Sequence, residues 1–215
     1  MISTQNPAAL PDAATLQQLC KAMAVLDAVN SPDWEYRYHS YDPAWGEDEA
    51  VFQLNTGEGD EMLILFRPEG CCINGFVDTY EQPDKARATQ GLPAAFEEFV
   101  FGEPVSSIGT TFCLWYTPAT GWQTGELDVS ADDGSEEMLY LLDGRPESYA
   151  EWANEYFVED TGRQLIEVED VARVYRGETL TREQVQRLNQ ELEPEDMVQL
   201  ETDLQEIGYP YSFSQ

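Results

Sequence analysis

The chain has 215 residues, enough for one large domain or two small ones with a substantial core, and its 42% hydrophobic and 12% aromatic content excludes an intrinsically disordered polymer. It carries 42 Asp and Glu against 11 Lys and Arg, a formal net charge of −31. A surface this negative repels phosphate backbones and anionic lipid, so nucleic-acid and membrane partners are not expected, whereas cations and basic proteins are attracted.

The charge is spread along the whole chain. Residues 1–80 hold 13 acids and 3 bases, residues 81–145 hold 12 and 3, and residues 146–215 hold 17 and 5. The three parts therefore net −10, −9 and −12, so no acidic tail hangs from a neutral body. Solubility, neutralisation of a basic partner, and adaptation to a salty cytoplasm each account for such a surface. The last is suggested by only two lysines, Lys21 and Lys85, against nine arginines.

In chain order, Asp12 stands at an N-cap position and Leu16, Leu19, Cys20, Met23 and Leu26 recur at helical spacing until Asn30-Ser-Pro32. From Trp34 to Tyr38 aromatics alternate with charges, the pattern of a half-buried strand. Tyr41 to Gly46 reads as a connection, and Glu49 to Asn55 as a second strand. The apolar run Met62–Phe66 predicts a central strand, with Cys71–Val77 as its hairpin partner in an antiparallel meander. Glu81 to Leu92 is polar and loop-like, and Pro93 opens a short helix to Val100. Strands are expected at Thr111–Tyr116, around Leu127 and Val129, and at Met138–Leu142, with a turn at Ala131–Ser135. Helices are expected at Ser148–Phe157, at Glu167–Tyr175, after the capping box Thr181-Arg-Glu-Gln184, and from Pro194 to Ile207, where Gly208 ends the last. The fold class is α+β: an N-terminal helix, a mostly antiparallel sheet interrupted by a short helix, and a helical C-terminal section. Residues 1–215 read as one domain, with 146–215 as the alternative helical subdomain.

No catalytic or metal motif is present. His39 is the single histidine, so a nucleophilic triad has one base to draw on, and its tyrosine neighbours favour a structural or surface role. Cys20, Cys71, Cys72 and Cys113 lack zinc-ligand or Cys-x-x-Cys spacing, and the adjacent Cys71 and Cys72 point to opposite faces of a strand. Reduced, mostly buried thiols are expected. The stretch Asp128–Glu137 fails as an EF-hand loop, because Asp133 and Leu139 stand where glycine and glutamate are needed. Thr56–Asp60 lacks the Lys and Ser/Thr of a phosphate loop. With no basic residue before Lys21 and no long apolar run at the start, neither a signal peptide nor a membrane span is predicted, and the cytoplasm is the expected location.

Several phrases carry a family likeness: Gly57-Glu-Gly-Asp60, Gly75-Phe76, Leu92-Pro93 through Phe99, Thr111–Trp115, Asp143–Tyr149, Leu180-Thr181, Leu188-Asn189 and Glu206–Tyr209. Together they resemble a largely uncharacterised bacterial family of acidic cytosolic proteins, from which no catalytic residue carries over. The phrase Leu92-Pro93-x-x-Phe96-x-x-Phe99 is similar to one in the SUKH class of toxin-immunity proteins. There it stands near the N-terminus, and here it is mid-chain.

The resulting expectation is a non-enzymatic bacterial binding protein, an immunity protein that occludes a basic toxin or effector, without cofactor or metal. The alternatives are a carboxylate-based hydrolase and a salt-adapted structural protein. Trp34, Tyr36, Tyr38, Tyr41 and Trp45, with Glu47, Asp48 and Glu49, form the candidate partner-binding cluster, because aromatics exposed beside acids suit a basic partner.

Overall fold

The first helix, α1 (Ala13–Asn30), begins where the Asp12 carboxylate accepts the Thr15 backbone N–H at 3.0 Å. From Ala22 to Asn30 every residue of α1 is buried, so it is a central helix and not an amphipathic one lying on the surface. The computed structural model describes residues 1–126, 132–159 and 161–213; the expected strand around Leu127 and Val129, and Ala131 of the expected turn, lie outside them.

Burying α1 to its end leaves carbonyls that no further helical turn can satisfy. Side chains from distant elements take them up. Asn189 Nδ2 donates to Val29 O at 2.9 Å, and Arg163 donates to the Asn30 carbonyl and to Asn30 Oδ1. Arg37 donates to the carbonyls of Ser31 and Pro32 at 2.7 and 3.0 Å.

Six strands follow as an antiparallel meander in the order of the chain: β1 (His39–Gly46), β2 (Glu49–Asn55), β3 (Glu61–Arg67), β4 (Gly70–Phe76), β5 (Phe112–Thr117) and β6 (Gly121–Thr124). Both faces are covered, which is why β3 and β4 read as continuous apolar runs. Phe52, Leu54, Met62, Ile64, Cys71, Ile73 and Leu114 face α1 and the C-terminal helices. Val51, Leu63, Leu65, Cys72, Cys113 and Trp115 face a second, smaller core under Phe96, Phe99, Val100 and Val105. All four cysteines are buried and free, with Cys71 and Cys72 in different cores, and burial pushes the Cys20, Cys71 and Cys72 thiols up.

Three short helices lie between β4 and β5: α2 (Lys85–Ala88), α3 (Glu97–Phe101) and α4 (Val105–Ile108). Then come α5 (Ser135–Leu139), α6 (Pro146–Ala153) running into a π-helical turn at Asn154–Val158, α7 (Val168–Tyr175), α8 (Arg182–Leu188) and α9 (Pro194–Ile207). The Thr181–Gln184 capping box opens α8, and Gly208 closes α9 in the left-handed conformation. A two-stranded parallel pair, β7 (Leu180–Thr181) and β8 (Tyr211–Ser212), ties down the C-terminus. One hydrophobic cluster runs from Ile2 through α1 and the sheet to Phe213. No helix among the described residues is long and apolar enough to cross a membrane.

Three expectations are corrected. Trp34–Tyr36 is a 3-10 turn and not a strand: the Asp33 carboxylate accepts the Glu35 N–H and turns the chain, so the alternating aromatics do not mark a sheet. Tyr41–Gly46 belongs to β1, because an edge strand tolerates Pro43 and an irregular register between Asp42 and Gly46. Met138–Leu142 spans the end of α5 and a 3-10 turn (Tyr140–Asp143), since a short buried apolar run has no period that separates helix from strand. The segment Glu81–Leu92 also contains the single turn of α2.

Two consequences are measurable. A Cβ at Gly75 would collide with the Phe112 ring of the neighbouring strand. Gly75→Ala should therefore cost about 1–3 kcal/mol, read as a Tm drop of ~2–4 °C per kcal/mol. The Asp12 carboxyl is held below its ordinary value, chiefly by the Thr15 backbone N–H. A depressed folded value stabilises above the ordinary carboxylate range and ceases to do so as pH falls through it. Asp12→Ala should lose roughly 0.5–1 kcal/mol near neutral pH, the low end for an exposed cap, and nothing at pH about 2. Urea unfolding at the two pH values checks this.

Candidate functional site

At the core of the molecule an ionisable residue sits where water cannot reach it. Asp27 of α1 is fully buried, and its carboxylate accepts three donors. The His39 backbone N–H donates at 2.9 Å, the His39 ring Nδ1 lies 3.1 Å from both oxygens, and the Tyr149 hydroxyl donates at 2.6 Å. These bonds join α1, β1 and α6. Burial and the Asp27 charge push the Tyr149 phenol well up, so it remains a neutral donor.

The His39 ring stacks on Phe52 at 5.6 Å and meets Trp152 edge-on at 5.0 Å. Because a carboxylate only accepts, Nδ1 carries a proton and donates it to Asp27. Nε2 is buried and has no hydrogen-bond partner among the described residues. Leaving such a group unpaired costs about 1–3 kcal/mol.

A cleft of about 400 Å³ opens between the start of β1 and the C-terminal half of α9. Trp34, Tyr36, Tyr38 and Tyr156 line it together with Asn55, Thr56 and Gly57 of the β2–β3 turn and Asp203, Glu206 and Ile207 of α9. Trp34 is 75% exposed and Tyr36 63%. Behind them, Tyr38 meets Tyr156 edge-on at 4.5 Å, and Tyr156 stacks nearly parallel on Trp152 at 5.5 Å. Tyr156 comes from the π-helical turn, a rare conformation found often at functional sites. Its position is fixed by Asn154, which exchanges two hydrogen bonds with the Ile166 backbone. Burial raises the Tyr38 and Tyr156 phenols, and the neighbouring Tyr and acidic groups add to it.

Three carboxylates, Glu35, Asp203 and Glu206, line the cleft against one guanidinium, that of Arg37. Arg37 donates to Asp203 at 2.7 Å, and Gln199 donates to the other Asp203 oxygen. Glu35 and Glu206 are exposed.

The predicted cluster divides. Trp34, Tyr36 and Tyr38 are together at the cleft. Tyr41 also borders it but is buried, its hydroxyl accepting from Gln17 at 2.8 Å. Trp45, Glu47, Asp48 and Glu49 lie at the β1–β2 hairpin tip, roughly 20 Å along the strand. There Glu49 is committed to Arg67, and Trp45 lines a shallow recess with Leu65 and Phe99. Nearness in sequence grouped residues that β1 separates. Sequence reasoning missed Tyr156, Asp203 and Glu206, which carry no local signal linking them to residue 34, and set His39 aside, although its status as the single histidine was visible.

Among the described residues no cluster of three or more His, Cys, Asp or Glu could hold a metal ion. Comparison with known proteins finds no matching family model, curated protein or solved structure.

Tyr149→Phe should cost about 1.5–3 kcal/mol, as one charge-assisted hydrogen bond is lost. Asp27→Ala should cost more, roughly 3–5 kcal/mol, because it strands both His39 and Tyr149. Denaturant unfolding should rank them in that order; equal small losses would mean the carboxylate is not the hub.

Proposed function

We propose that this chain is a binding protein, not an enzyme, that captures a basic protein partner, and that the cleft beside Trp34 anchors it. One observation carries the reading: Trp34 and Tyr36 stand exposed, two positions apart on one 3-10 turn, at the mouth of a cleft with three carboxylates. Large aromatics are ordinarily buried, and Trp and Tyr dominate interface hot spots. The net charge of −31 supports steering of a positively charged surface toward this site. In mechanism the acids accelerate encounter, the aromatics hold, and the bulk of the chain occludes the partner. An immunity protein against a basic toxin or effector fits this description.

The test is binding of the host's basic toxins and nucleases, including any encoded beside this gene, at low and at high salt. A cognate partner should associate fast at low salt and slow steeply as salt rises. Trp34→Ala and Tyr36→Ala should each weaken it by about 30-fold, whereas Trp45→Ala should leave affinity within about twofold. Equal sensitivity at Trp45, or no basic protein bound at low salt, would overturn the reading.

A further inference from the structure

We infer that Arg37 and Asp203 are positioning residues of the binding site: their ion pair holds the Trp34–Tyr36 turn in its binding geometry before a partner arrives. This deepens the binding-protein reading above and rests on it.

Exposed aromatics on a connecting segment are ordinarily mobile, and a partner that captures them has to order the backbone beneath. The segment from Ser31 to Arg37 is instead tied down along its length. The Asp33 carboxylate accepts the Glu35 N–H at 3.2 Å, Ser31 Oγ donates to Asp33 O at 2.8 Å, and the Tyr36 and Arg37 N–H groups donate to Asp33 O and Trp34 O. The Arg37 guanidinium reaches back to Ser31 O and Pro32 O, so the last residue of the segment clasps the first two. Trp34 and Tyr36 are thus exposed side chains on a held backbone.

Two contacts fasten this loop to the C-terminal helices. Arg37 donates to one Asp203 oxygen at 2.7 Å while Gln199 donates to the other at 2.8 Å, and the paired side chains are only 12% and 10% exposed. The Tyr156 hydroxyl donates to Tyr36 O at 3.3 Å. With both of its oxygens engaged, Asp203 acts on the partner through Arg37, whereas Glu35 and Glu206 are exposed and free to meet it directly. The clasp requires arginine: a planar guanidinium with five donors bridges two carbonyls and a carboxylate at once, and an ammonium lacks that fork. A turn ordered before encounter avoids an ordering cost on binding, and its affinity is not divided by the fraction of time spent in other conformations.

The experiment measures amide hydrogen exchange in the free protein, then affinity for the basic protein that binds at low salt in the test above. In the wild type the Tyr36 and Arg37 amides should exchange at least about tenfold more slowly than in an unstructured chain. Asp203→Asn and Arg37→Lys should each remove that protection and weaken the partner on the order of tenfold. Glu206→Gln takes the same charge from α9 as Asp203→Asn and so matches its loss of steering; it should leave the turn amides protected and weaken the partner about twofold. Arg37→Lys changes no charge, so steering does not account for its effect. The turn amides open locally, so their loss of protection is separable from a fall in global stability, which the β3 and β4 amides report. Unprotected turn amides in the wild type, a measurement that needs no variant to fold, overturn the inference. So do variants in which loosening of the turn and weakening of the partner do not go together. The binding-protein reading survives either result as long as Trp34→Ala weakens the partner. A wild type that binds no basic protein at low salt overturns both.

Discussion

A helix buried along its whole second half imposes the constraint on which the rest of the structure depends. α1 brings into the interior a carboxylate, Asp27, and a set of terminal carbonyls. Neither can stay unpaired without a penalty comparable to a substantial share of the molecule's net stability. The partners come from far along the chain: His39 from β1, Tyr149 from α6, Arg163 after the π-helical turn, and Asn189 after α8. Satisfying α1 therefore fixes where the sheet begins and how the C-terminal helices stand around it. The apolar contacts supply the driving force, and these polar bonds select one arrangement among those that hydrophobic burial would allow.

The cleft is a by-product of that arrangement. Arg37 closes the end of α1 and is drawn toward α9 by Asp203, which brings α9 beside the start of β1. The 3-10 turn that precedes Arg37 is left projecting, with Trp34 and Tyr36 in water. The π-helical turn places Tyr156 against Tyr38, and its hydroxyl donates to Tyr36 O at 3.3 Å. Arg37 thus serves twice, pairing the carbonyls after α1 and lining the cleft.

Much of the fold was legible locally. The Asp12 cap, the Thr181–Gln184 capping box, the Pro194 start and Gly208 stop of α9, and the turn-bounded runs of β2 to β5 are each determined within a few residues. The misreadings share one cause. At Trp34–Tyr38 and at Met138–Leu142, hydrophobicity is distributed according to what the rest of the molecule covers or leaves bare, and local period does not report that. The site was half legible: Trp34, Tyr36 and Tyr38 were identifiable as an aromatic cluster, but their partners Tyr156, Asp203 and Glu206 lie more than a hundred residues away.

The sequence by itself determined the acidity of every part of the chain, the order and type of most elements, and the α+β class, because net charge, caps and periodicity are properties of composition and short range. Only the tertiary structure decided which aromatics face water, that Trp45 stands apart from Trp34, and that the single histidine lies buried against a buried carboxylate. Those facts depend on contacts between residues distant in the chain, and such contacts are set by the packing of the whole around α1.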